Sequence, residues 1–343
     1  MEEMNTKKSD SKWTPGRIGI IGSGSWGTAL AKIILATQPD INWYFRFKET
    51  VRQFRQHKHN PSYLTNQQFE TDRINFYTDI PKIVEDSDTI LLVTPSPYIK
   101  NILGKMTPEM LEGKFVLNAI KGIVPEDNVL ISNYLADEYG IPLDMIGAIS
   151  GPCHAEEVAL GRLSYLTVSC ANIDKAKQLQ KVIQGPQVMC GVSDDVTGIE
   201  YASVLKNVYA IAAGICQGIR HGDNFQAVLI SNAIGEMARF IDAVHPLERD
   251  IKGTEYLGDL LVTAYSRYSR NRTFGTMIGK GYSVKQAQLE MEMIAEGYYG
   301  TKCIHEVNLG VKASIPIADI VYQILYERKD PVKAIEELSK ILS

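Results

Sequence analysis

The sequence predicts an α/β protein in which a doubly wound, mostly parallel sheet domain is followed by a mostly α-helical second domain. Three observations predict it: short β-rich runs alternate with helical stretches from Arg17 onward, glycines cluster where the first run meets the first helix, and strand-like runs stop near Ser193. With 343 residues, 45% hydrophobic and 22% charged, the chain has room for two modules and an ordinary globular composition.

Residues 1–16 are polar and mixed in charge and read as a disordered leader. Strands are predicted over Arg17–Ile21, Ile41–Phe47, Thr89–Thr94, Phe115–Ile120, Met145–Ser150 and Leu166–Cys170. Several are apolar throughout, which suits a parallel sheet covered by helices on both faces. Residues 17–193 are therefore assigned to the sheet domain. From Asp194 the chain is rich in Ala, Leu, Ile and Glu at helical spacing, and Ile199, Ala202, Leu205, Tyr209, Ala212 and Ala213 form one broad stripe. Residues 194–343 are assigned to a helical second domain, with a ligand cleft between the two.

A net charge of −4 gives no general attraction to polyphosphate, so nucleic acid is not expected as a partner and any bound anion must meet locally placed cations. The five cysteines are scattered, with no C-x-x-C pair and no His-rich metal spacing, so no metal is expected and a reducing, cytoplasmic setting is. The apolar stretch Ile18–Ala36 is broken by Gly22, Gly24 and Gly27 and charged by Lys32, so neither a signal peptide nor a membrane insertion is predicted.

The first strand runs into Gly22-Ser23-Gly24-Ser25-Trp26-Gly27 and then a good helix-forming sequence. The first glycine permits a tight turn, the second admits a pyrophosphate to the backbone, and the third lets helix and strand pack closely; the helix N-terminus then faces the anion. Placed between a strand and a helix, this fits the fingerprint of a Rossmann dinucleotide-binding domain, and Gly22, Gly24, Ser25, Trp26 and Gly27 are expected to be cofactor-binding; a glycine loop that binds nothing is the plain alternative. A Rossmann site reads the adenosine ribose about 20 residues further on. Here the second strand ends in Tyr44-Phe45-Arg46-Phe47 with no carboxylate before Glu49. Arg46 suits a 2′-phosphate, so NADP(H) is favoured and NAD(H) stays open; a solvated strand-end arginine is the plain alternative.

Further motifs follow in order: Lys121-Gly122, Ser150-Gly151-Pro152-Cys153-His154-Ala155-Glu156-Glu157, Leu205-Lys206-Asn207, Gly258-Asp259-Leu260, Ser269-Arg270-Asn271 and Ala295-Glu296-Gly297. Together with the glycine turn they make the chain resemble the bacterial-type NAD(P)-dependent glycerol-3-phosphate dehydrogenases. The resemblance implies reduction of dihydroxyacetone phosphate to sn-glycerol-3-phosphate and the reverse, supply of glycerophospholipid synthesis, and a homodimer built through the helical domain. Two rivals stay in view: another two-domain dehydrogenase of the hydroxyacid or ketopantoate type, and a non-catalytic NADP-binding sensor.

Lys121 follows a strand and so sits at the carboxyl edge of the sheet, where open α/β folds place ligands; the resemblance implies contact with both substrate and nicotinamide, and a surface lysine on a loop is the alternative. Lys206 interrupts an apolar helix, and a lysine is rarely buried without a partner or a task. Desolvation and a neighbouring cation such as Lys121 both lower an ammonium pKa, and the resemblance makes Lys206 the proton-transfer group; a lysine snorkelling to water is the alternative. Asp259 opens an apolar run, reading either as a substrate contact that holds a catalytic ammonium or as a helix N-cap. Ser269, Arg270 and Asn271 supply hydroxyl, guanidinium and amide donors. By resemblance they bind the substrate phosphate, with Arg270 also reaching the cofactor, although Arg267, Arg270 and Arg272 also fit a solvated face.

Gly151 is expected to let substrate approach the backbone. Cys153 stands where the family usually has Ser or Thr, a weaker donor, and its place by a cationic cleft suggests an oxidation-sensitive thiol. Ala155, Ile294 and Glu296 match cofactor-contacting positions of the family, Ile294 standing where valine is commoner. His154, His221 and His245 share no spacing and read as structural.

Overall fold

The computed structural model describes residues 13–291 and 294–342. Eight strands form one sheet: β1 (Ile18–Ile21), β2 (Ile41–Tyr44), β3 (Ile74–Tyr77), β4 (Thr89–Leu92), β5 (Phe115–Asn118), β6 (Ile146–Ser150), β7 (Ser164–Cys170) and β8 (Val188–Ser193), in the order β3-β2-β1-β4-β5-β6-β7-β8. Neighbours run parallel except β6 and β7, which are antiparallel. The strand order reverses between β1 and β4, and that switch point opens a crevice at the carboxyl ends of the strands.

All six predicted strands are present, most of them shorter by one to three residues. β3 and β8 escaped prediction because they close the two edges of the sheet. Each has solvent-facing positions that break the apolar run, and β8 also contains Gly191. Alternation along the strands feeds two cores: Ile20, Leu91 and Phe115 face one side of the sheet with Trp43, while Ile21, Leu92 and Val116 face the other.

The third core surrounds the helix Val196–Gly218, and here the expected stripe is corrected. Every residue from Gly198 to Cys216 is buried, so the helix is enclosed on all sides. Glycines allow this enclosure. A Cβ on Gly275 would stand 2.1 Å from the Ile211 carbonyl, and one on Gly297 would stand 2.6 Å from the Asn207 carbonyl. The helices Arg270–Gly279 and Glu296–Val311 therefore press directly on the backbone beside Lys206.

Most of the expected leader lies outside the described residues. The part within them is packed: Trp13 lies 5.1 Å from Phe115, and Thr89 Oγ1 donates to the Pro15 carbonyl at 2.6 Å. Among the described residues no helix is long and apolar enough to cross a membrane.

Candidate active site

A cleft of about 310 Å³ opens where β1, β4, β5 and β6 end, walled on the other side by the long helix and its neighbours. At the end of β1, Gly22 takes φ +135°, and a Cβ there would come 2.5 Å from the Val93 carbonyl. Gly27 lies so close to the strand that its Cβ would stand 2.3 Å from the Gly22 carbonyl, whereas a Cβ on Gly24 would meet nothing within 4 Å. No side chain caps the helix Ser25–Leu35 that begins here, and Gly24, Ser25 and Trp26 line the cleft. The buried Trp26 indole nitrogen has no partner among the described residues. An open backbone surface and an uncapped helix start together fit the pyrophosphate end of a dinucleotide. Asn60, unnoticed in the sequence, steadies the turn by donating to the Ser23 carbonyl at 2.9 Å and to Thr28 Oγ1 at 2.8 Å.

Arg46 sits just past β2, exposed and stacked over Phe47 at 5.1 Å, outside the lining of the cleft. The other cofactor candidates, Ala155, Ile294 and Glu296, do line it. The half-buried Glu296 carboxylate accepts from the Ser96 amide at 3.0 Å and pairs with the Ser96 hydroxyl, joining the loop after β4 to the helix Glu296–Val311.

On the helical wall, Lys206 is 2% exposed and forms an ion pair with Asp259, itself 1% exposed. Burial at this level excludes snorkelling. Lys121 Nζ approaches Asp259 Oδ2 at 3.8 Å from the sheet side and rests 5.4 Å over the Trp26 ring. Asp259 is the first residue of the helix Asp259–Tyr265, but its carboxylate does not cap it. Oδ2 instead receives the Ser150 hydroxyl at 3.2 Å and the Gly151 amide at 3.3 Å. Its other oxygen, Oδ1, is buried without a partner among the described residues. Burial draws the Lys206 ammonium well below its ordinary 10.5; Asp259 opposes the fall and Lys121 adds to it. Burial alone would raise the Asp259 carboxyl, but the two ammonium groups and the Gly151 amide outweigh it and hold it below its ordinary value.

Residues 17–176 match the family model for the NAD-dependent glycerol-3-phosphate dehydrogenase N-terminus, and residues 195–336 match the model for its C-terminus. The glycerol-3-phosphate dehydrogenase [NAD(P)+] of Clostridium botulinum is 33% identical over 322 residues, which is 94% of this chain and 96% of that one. This chain belongs to the glycerol-3-phosphate dehydrogenase family. A similarly named protein of Oceanobacillus iheyensis is 32% identical over 94% of this chain and 93% of its own. The crystal structure of the Coxiella burnetii glycerol-3-phosphate dehydrogenase superposes with a TM-score of 0.87 at 30% identity, covering 95% of this chain and 99% of that one. A ketopantoate reductase from Ralstonia eutropha shares the fold alone, with a TM-score of 0.56 at 14% identity over 93% of this chain and 99% of that one.

Of the arginines at 267, 270 and 272, Arg270 lines the cleft of this glycerol-3-phosphate dehydrogenase family member and the other two do not. Ser269 caps the helix Arg270–Gly279 through the Arg272 amide at 3.3 Å, leaving its hydroxyl proton available. Asn271 is more committed, donating to Asn207 Oδ1 at 2.8 Å and accepting from the Gly297 amide at 2.9 Å.

Two expectations are corrected. Gly151 does not line the cleft: it takes φ +126°, and a Cβ would meet the Tyr165 carbonyl at 2.6 Å, so glycine is required there for the chain path. Cys153 does line the cleft, but burial pushes its thiol up to about 12 against the opposing pull of Lys121, which leaves little thiolate to oxidise.

The sequence also left groups unnoticed. Asn207 donates to the Lys121 carbonyl at 2.9 Å and the Ser203 carbonyl at 3.0 Å, tying the Lys121 loop to the long helix. Buried Glu200 takes the Asn118 amide at 2.5 Å and pairs with the Ser132 hydroxyl, while Asn118 Oδ1 accepts from the Ile120 amide at 2.9 Å. His154 lines the cleft as a neutral ring, lowered to about 4 by burial, with Lys121 and Lys206 adding to the shift. His221 packs on Phe225 at 5.1 Å and His245 lies 4.0 Å from Asp195, both outside the cleft lining.

Proposed function

We propose that this protein interconverts dihydroxyacetone phosphate and sn-glycerol-3-phosphate with a nicotinamide dinucleotide. The observation that carries the reading is the convergence of Lys206 and Lys121, one from each side of the cleft, on Asp259, whose Oδ1 has no partner among the described residues. When bound, the reduced nicotinamide supplies hydride to the ketone carbon.

The residues of this chain supply the rest. Lys206, with its lowered pKa, gives its proton to the ketone oxygen and recovers it in the reverse direction. Asp259 holds that ammonium in place and accepts from a substrate hydroxyl through Oδ1. Lys121 adds positive charge beside the developing oxyanion. Arg270, with the Ser269 hydroxyl and Asn271, meets the phosphate dianion. Gly24, Ser25 and Trp26 hold the pyrophosphate on the turn that Gly22 and Gly27 shape, Ala155, Ile294 and Glu296 contact the cofactor elsewhere, and Cys153 lines the substrate side.

Arg46, exposed at the carboxyl end of β2, favours NADP(H) over NAD(H) by pairing with a 2′-phosphate. The reading extends to a cytoplasmic homodimer that feeds glycerophospholipid synthesis, with residues 17–193 as the cofactor module and 194–343 as the substrate and dimer module. Mixing the protein with dihydroxyacetone phosphate and each reduced cofactor tests it. Nicotinamide absorbance is expected to fall, faster with NADPH, and no fall with either cofactor overturns the reading.

A further inference from the structure

Asp195 lies outside the lining of the cleft and is 3% exposed, yet each of its oxygens is used. Oδ1 accepts from the Gly198 amide at 2.9 Å and caps the helix Val196–Gly218. Oδ2 accepts from the Tyr256 hydroxyl at 2.6 Å and from Arg249 Nε at 2.9 Å. Gly198 is the residue that lets the carboxylate lie over the first turn, since a Cβ there would stand 2.0 Å from it.

The two elements tied together in this way carry the two halves of the buried ion pair. Lys206 stands eleven residues up the long helix from Asp195, roughly 16 Å along its axis. Tyr256 sits in the middle of the single π turn Thr254–Gly258, which runs directly into Asp259. A π turn holds one residue more than an α turn, so its relaxation to α geometry would swing Asp259 by about 100° around the helix axis. A cap alone needs one oxygen of Asp195; the second oxygen grips the turn.

We propose that Asp195 is a positioning residue for the reaction: by bonding both the start of the Lys206 helix and Tyr256 in the turn before Asp259, it sets how the Asp259 carboxylate meets the Lys206 ammonium. This rests on the function proposed above. Asp195 faces Arg249, Tyr256 and, at 4.0 Å, His245; Arg249 in turn pairs with Asp242, and Glu255 adjoins Tyr256. Burial would raise the Asp195 carboxyl, but the bonds from Arg249, Tyr256 and Gly198 outweigh it and keep it anionic at neutral pH. Lys206 faces Asp259 and Lys121, with Cys153 and His154 nearby.

Tyr256→Phe removes the hydroxyl and keeps the ring, so it tests the grip without emptying the core. The expected result is a kcat for dihydroxyacetone phosphate reduction lowered by about ten- to a hundredfold, with the KM for the nicotinamide cofactor unchanged. The alkaline limb of the kcat profile also moves to lower pH, because Lys206 loses part of the anion that supports its proton. Asp195→Asn, which keeps an oxygen for the cap, moves the same two quantities in the same direction. Variants that lose only thermal stability, with kcat and the limb unmoved, overturn the proposal. An inactive wild type sinks the functional reading instead. The proposal is then decided by isotope-labelled lysine NMR, where a Lys206 titration lowered in Tyr256→Phe supports it and superimposable titrations refute it.

Discussion

Lys121 Nζ and Asp259 Oδ2 lie 3.8 Å apart, the lysine from the loop after β5 and the carboxylate from the helical wall, with Lys206 paired to the same carboxylate. Two ammonium groups share one buried anion. Burial and the second cation destabilise the Lys206 proton while Asp259 retains it, which leaves a lysine able to give and take a proton below its ordinary range.

The pH dependence follows with a definite sign. In the proposed mechanism ketone reduction uses the ammonium form, so its kcat is expected to fall as pH rises through the lowered pKa of Lys206. Alcohol oxidation would use the neutral amine, so its kcat is expected to rise through the same region. Profiles in both directions are expected to mirror each other with a midpoint below 10.5, the ordinary lysine value. Limbs at the ordinary value contradict the account.

The glycine turn predicts a split between two similar substitutions. Gly27→Ala drives a Cβ into the Gly22 carbonyl and is expected to cost about 1–3 kcal/mol of stability. Gly24→Ala points its methyl into open space, so stability should change by less than about 0.5 kcal/mol while the cofactor KM rises. Thermal melts and cofactor titrations of both variants read the split, and equal effects on stability refute it.

Arg270 is the arginine of its cluster that reaches the cleft. Arg270→Ala is expected to raise the KM for dihydroxyacetone phosphate about ten- to a hundredfold, the worth of a lost charge-assisted hydrogen bond. Inorganic phosphate should inhibit the wild type more strongly than the variant. An unchanged KM places phosphate recognition elsewhere.

Glu236 offers a stability test away from the chemistry. It is fully buried, accepts from the amides of Ile317 and Ala318 at 2.8 and 2.9 Å, and burial raises it to about 8. A folded pKa above the unfolded one means the folded state holds the extra proton. Its stabilising effect is complete below the unfolded value and is lost as pH rises through about 8. The melting temperature of the wild type should therefore decline over that interval and that of Glu236→Gln should decline less. Parallel curves reject the assignment.

Much of this was legible in the chain because it depends on near neighbours. The glycine turn lies within six residues, and Lys206 stands out as a charge in an apolar helix. What escaped depends on partners far apart in sequence. Asn207 matters because it reaches the Lys121 carbonyl 86 residues away, and Asp195 because it meets Tyr256 61 residues away. Gly151 was legible as a needed glycine but not for its reason, since the Tyr165 carbonyl it avoids is brought close by the β6–β7 pairing. The Cys153 thiol was misjudged because nearby cations suggest reactivity, while its burial shows only in the packed fold.

The most direct test compares wild type with Lys206→Met in single-turnover reduction of dihydroxyacetone phosphate, with cofactor binding followed in parallel by fluorescence. The account predicts unchanged cofactor affinity and a chemical step slowed by about 10²- to 10⁴-fold. A variant that reduces the ketone at the wild-type rate contradicts it.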